Sequence, residues 1–174
     1  MSSFRLADLA PTPGALLGRL GMARRVADDA EVEVLEIAVE WAHSHPVLEG
    51  EKGWDAARSW RVGPSEVWQP GELDASVANA PDIETVEWCG IPPVAWDAPA
   101  AFAAANNMTT TAGKALIRDA LVLRHRLPLV WARVLEREVP AWRARKLAQA
   151  VLGAHADVVE AVDRAVVGIA HKIG

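Results

Sequence analysis

Apolar residues recur at helical spacing in two stretches of the chain, and that rhythm is lost between them. From about Gly21 to His43, Val34, Ala38 and Trp41 fall on one line, with Leu35, Val39 and Ala42 beside it. Asp29, Glu33, Glu36 and Glu40 form an acidic stripe next to this apolar face. The run "EVEV" has strand-like alternation, but its flanks keep the helical period, so the pattern predicts helix throughout. "HSHP" ends it, because Pro46 disfavours helical geometry at His45. Before this element, "MSSFRLADLAPTPGALLGRLG" is interrupted by Pro11, Pro13 and Gly14.

Residues 47 to 97 are dense in glycine and proline: Gly50, Gly53, Gly63, Pro64, Pro70, Gly71, Pro81, Gly90, Pro92 and Pro93. No long element is expected there, apart from a short helix around Glu84 to Trp88. Trp54, Trp60, Trp68, Trp88 and Trp96 are spaced through the segment, a placement that pins an irregular connection onto a helical core.

Helical periodicity returns at Ala98. "APAAFAAANN" reads as a short helix closed by two asparagines, which tolerate left-handed turn geometry. Thr109 is placed to cap the following helix, "TTTAGKALIRDALVLRHRL". Pro128 and Pro140 each open a further helix, because proline suits the first helical turn. A last helix is expected from about Ala156 to Ala170. The prediction is an all-α fold: a multi-helix bundle in one domain spanning residues 1–174. It has an acidic N-terminal part (1–46), a Pro/Gly/Trp-rich irregular connection (47–97) and a basic, helix-turn-helix-like C-terminal part (98–174).

Charge changes this picture. The chain carries a formal net charge of -5, yet residues 106 to 174 hold 11 of the 18 Lys/Arg and only six of the 23 Asp/Glu. The segment "LRHRLPLVWARVLEREVPAWRARK", residues 123 to 146, is crowded with arginine. Such asymmetry points to a polyanion partner at the basic end, or to acidic and basic halves that pair with each other. On the helix after Thr109, Thr111, Lys114, Arg118 and His125 fall close to one line, opposite Leu116, Ala120, Leu123 and Leu127. A short helix, a tight turn and a second helix with a polar stripe is the helix-turn-helix order, which any packed helix pair can also produce. On the helix after Pro140, Ala144, Leu147, Ala148 and Val151 form a core stripe, while Trp142, Arg145, Lys146 and Gln149 lie on the far side. These eight polar-face residues are the candidate nucleic-acid contacts: the cations for phosphate, Gln149 for a base edge. The alternative for Trp142 is packing against the neighbouring helix near Trp131.

Other chemistry finds little footing. A single cysteine, Cys89, excludes an intramolecular disulfide framework and a multi-cysteine zinc site. "GALLGRLG" lacks the Lys-Ser/Thr of a phosphate-binding loop, "GPSEV" lacks the flanking glycines of a nucleophile elbow, and His43 and His45 diverge on a helix. No catalytic constellation, cofactor site or metal site is expected. No signal peptide or stretch of roughly 18 uncharged apolar residues is present, so a soluble, cytoplasmic protein without membrane contact is expected.

The strings "LRHRLPLVWARV" (123–134) and "EVPAWRAR" (138–145) closely resemble an actinobacterial family, domain of unknown function 222, also called the 13E12 repeat family. The likeness extends to "AEVEVLEIAVEWAHSHP" and to "DRAV" and "AHKIG" near the end, and is looser through the proline-rich middle. Members join a helical N-terminal region to a C-terminal HNH endonuclease domain. The resemblance implies that such a domain would follow Gly174, and the 174 residues hold neither its His-rich ββα-metal motif nor a paired CxxC. The expectation is a DNA-binding or nuclease-positioning helical domain without catalysis of its own, paired with DNA or a partner nuclease domain. The rival expectation is a protein-interaction or homo-oligomerisation module with tryptophan-mediated contacts.

Overall fold

The computed structural model describes residues 11–46, 59–60, 91–92, 94–95 and 97–172. Its elements are α1 (Pro13–Ser44), β1 (Ser59–Trp60), β2 (Val94–Ala95), α2 (Ala98–Ala105), α3 (Thr110–Arg126), α4 (Pro128–Leu135), α5 (Ala141–Ala150) and α6 (Ala156–Val166), then a 3-10 turn at Ala170–Lys172. The fold is all-α. The helix expected at Glu84 to Trp88, Cys89, and the tryptophans at 54, 68, 88 and 96 lie outside the described residues.

α1 begins eight residues earlier than its apolar rhythm predicts. The Thr12 hydroxyl accepts from the Ala15 N–H at 3.3 Å, and Pro13 takes the first helical position. The "TPG" that reads as an interruption is therefore a start signal: its fixed φ suits the first turn, and the missing N–H would be unsatisfied there anyway. "EVEV" lies inside α1, which ends at Ser44 with non-helical His45 before Pro46.

Among its described residues, the irregular connection contributes one short strand pair. β1 and β2 run antiparallel, with Ser59 opposite Ala95 and Trp60 opposite Val94, and Val94 also bridges Pro46. The Ala95 N–H donates to the His45 carbonyl at 2.9 Å, which ties the return of the chain to the end of α1. Trp41 strengthens that junction: its indole N–H donates to the Ala98 carbonyl at 2.9 Å, and its ring lies 6.4 Å from that of Phe102.

α3 is the central helix. Leu116, Ile117, Ala120, Leu121, Val122 and Leu123 are all buried, along with Asp119 and Arg126. α2 reaches it across a turn in which Asn107 has φ 53°, as its asparagines predict, and Thr109 caps α3 through the Ala112 N–H at 3.2 Å. The approach of α2 is close enough to need glycine: a Cβ on Gly113 would stand 2.6 Å from the Ala103 Cβ. The predicted core stripe of α5 is buried as well, at Ala144, Leu147, Ala148 and Val151.

Pro128 is the first residue of α4, whereas Pro140 sits one position before α5, as its N-cap residue with ψ 138°. α6 ends at Val166, four residues short of the predicted end, and the chain tightens into the 3-10 turn beyond it. No helix among the described residues is long and apolar enough to cross a membrane.

Candidate nucleic-acid interface

Most arginines of the basic segment are committed to the fold. Arg126 is buried, and its guanidinium donates to the carbonyls of Val151, Leu152 and Ala154. These groups follow the C-terminal end of α5, where helix geometry leaves carbonyls without partners. Arg133 pairs with Glu138 at 2.6 Å and donates to the Val167 carbonyl at the end of α6. Arg137 takes a left-handed φ of 62° just past α4, donates to the Leu135 carbonyl and pairs with Asp29 of α1 at 3.2 Å. That last pair is one contact between the acidic stripe and the basic part.

The predicted contacts form two clusters and three separate positions. Arg118, Arg145 and Gln149 converge on the buried carboxylate of Asp119. Arg118 donates to Oδ1 through Nε and Nη2 at 3.2 and 2.9 Å, Arg145 Nε donates to Oδ2 at 3.0 Å, and Gln149 Nε2 donates to Oδ2 at 2.7 Å. Trp142 and Lys146 form the second cluster on the outer face of α5. The indole is 37% exposed, with the Lys146 ammonium 5.0 Å and the Arg143 guanidinium 4.9 Å from its ring centroid. Trp131, the alternative packing partner, is buried in the core. Thr111 is exposed on the first turn of α3, and Lys114 one turn on is half-buried, its pKa lowered by desolvation.

His125 stands apart, near the other end of α3, with its Nε2 3.1 Å from the Nε2 of His43 on α1. One ring must donate and the other accept, so a proton on both nitrogens breaks the contact. Burial lowers the pKa of His125 first, and the neighbouring His43 and Arg124 lower it further. The unfolded chain therefore binds this proton more readily than the folded one, and the stabilising contribution is fully present above the ordinary value of 6.5. As pH falls below that value, melting temperature is expected to drop, and His125→Gln is expected to lose this part of the pH dependence. Identical pH profiles for both proteins would refute the assignment.

Asp119, Arg126, Arg143 and Asp163 are the site and scaffold residues that pattern reading missed. Asp119 and Arg126 carried a signal: each sits among the apolar positions of α3, where a charge demands a partner. The exposed residues of α3 are Thr110, Thr111, Ala112 and Arg124, whereas α5 exposes Trp142, Lys146, Gln149 and Ala150. Among the described residues, no group of three or more His, Cys, Asp or Glu side chains is placed to hold a metal ion. Comparison with protein families, with curated proteins and with solved structures finds no match to this chain.

Proposed function

We propose that this chain binds nucleic acid, DNA in the first instance, through the outer face of α5. The observation that carries the reading is Trp142, an exposed indole flanked by Arg143 and Lys146. The indole is partly covered by the two cations over its ring, which attract phosphate, and its exposed remainder is the surface that a base would meet. The resemblance of residues 123–145 to the 13E12 repeat family supports the same reading.

Geometry refines the expected contacts. Arg118, Arg145 and Gln149 are held by Asp119, so the reading does not rest on base-edge recognition by Gln149. Arg143 and Lys146 are the leading phosphate contacts. Two such contacts imply a log–log salt slope of about -1.8 on duplex and about -1.4 on single strands, against about -3.6 for four duplex contacts. Binding is expected to be weak, salt-sensitive and tolerant of sequence.

Fluorescence anisotropy with labelled duplex and single-stranded oligonucleotides at low salt tests this. Trp142→Ala is expected to weaken binding by roughly one to two orders of magnitude, the scale of one lost base–aromatic stack, with an unchanged melting temperature. Lys146→Ala is expected to weaken binding to all sequences alike. Absence of binding to either form ends the reading. A melting drop of several degrees in Trp142→Ala with unchanged affinity assigns the indole to packing instead.

A further inference from the structure

We infer that the nucleic acid held by the outer face of α5 is single-stranded, with an unpaired base laid on the Trp142 indole and its own strand's phosphates on Arg143 and Lys146; this rests on the nucleic-acid reading above. The basic patch suits one strand. Arg126 and Arg133 are committed to backbone carbonyls, Arg137 to Asp29, and Arg118 and Arg145 to Asp119. Beside the indole, Arg143 and Lys146 remain, and among the described residues neither enters a hydrogen bond or an ion pair. Both charged heads lie within 5.0 Å of the same ring centroid, so they form one compact patch. A duplex carries one charge per ~1.7 Å of its axis, a single strand one per ~3.4 Å. For the same two contacts, the denser duplex meets more repulsion from a chain of net charge -5.

The indole separates the two forms further. In a duplex the faces of each base are covered by its neighbours. A side chain that enters must open a stack, at a cost comparable to what one base–aromatic contact returns. Side chains that do so are apolar wedges, whereas Trp142 would carry two cations with it. An unpaired base already has an open face, and the exposed remainder of the indole is the surface it covers. Groove reading has little to work with, because the Gln149 amide nitrogen and the Arg145 Nε donate to Asp119 at 2.7 and 3.0 Å. Stacking needs no base-edge donor, and every base has a π-face, so the contact tolerates sequence and is open to DNA and RNA strands alike.

Fluorescence anisotropy of the full chain at low salt, with four labelled probes of one length, tests the inference: a DNA strand, an RNA strand, a blunt DNA duplex and an abasic DNA strand. The tighter of the first two should exceed the duplex by roughly 5- to 150-fold, the worth of one stacked base, and that arm identifies which sugar the site prefers. The abasic strand keeps the phosphates and should fall to the level of the duplex or below. Trp142→Ala should erase the difference between strand and duplex, and Trp142→Phe should retain part of it. If Trp142→Ala also melts lower, the abasic comparison on the wild-type chain decides. A duplex that binds as tightly as the strands would overturn the inference and leave the nucleic-acid reading standing, as would an abasic strand that matches the normal one. Absence of binding to all four probes ends that reading and this inference with it.

Discussion

Asp119→Ala is expected to cost about 3–5 kcal/mol of stability, the range for removing one partner from a buried ionic network. In a chain of this size that corresponds to a melting drop of roughly 10 °C. The carboxylate is fully buried and accepts four hydrogen bonds from Arg118, Arg145 and Gln149. Without it, Arg118, whose side chain is only 13% exposed, keeps its desolvation cost with no counter-charge from Asp119. Arg145→Ala should cost much less, because that side chain is 34% exposed and water already screens its share of the pair. Asp119→Asn should fall between the two, since it keeps the volume and one acceptor. Thermal unfolding of the three variants orders them, and a melting temperature for Asp119→Ala within about 2 °C of wild type would refute the network's role in joining α3 to α5.

Asp163→Ala is expected to cost about 2–4 kcal/mol, by the loss of two capping hydrogen bonds at a buried helix end. Its carboxylate, buried on α6, accepts from the backbone N–H groups of Leu129 and Val130 at 2.9 and 3.0 Å. These are first-turn donors of α4, which no intrahelical carbonyl can reach. The residue before α4 is Leu127, which offers no side-chain cap, and Pro128 contributes no donor, so Asp163 supplies from 34 residues away what a local serine or aspartate usually does. The negative charge also meets the positive end of the helix. Asp163→Asn, which keeps one acceptor oxygen, is expected to recover part of the loss. Hydrogen exchange gives the specific readout: protection at Leu129 and Val130 should fall in Asp163→Ala more than protection at the centre of α3. Uniform loss across the fold would deny the capping role.

The chain's local chemistry settles where its helices lie. Thr12 and Thr109 as caps, Pro128 in a first turn, Asn107 in a left-handed turn and Pro46 after α1 are decided by neighbours a few residues away. The same holds for which side of α3 and α5 is apolar, because a 3.6-residue period needs no tertiary partner to be visible. Locality also explains the difference at Pro13: a proline and a glycine side by side read as breakers, and become a helix start only once Thr12 is placed as the cap before them. Tertiary structure decides which faces meet and what the charges do. The sequence around residues 123 to 146 shows arginines in a row. It cannot show that Arg126 reaches carbonyls 25 to 28 residues away, that Arg133 closes the end of α6, or that Asp119 gathers Arg118, Arg145 and Gln149. An arginine on a helix face reads the same whether it meets phosphate, water or a buried carboxylate. The free energy that separates those cases comes from desolvation and from partner geometry, and both exist only once α3 has become the centre of the bundle.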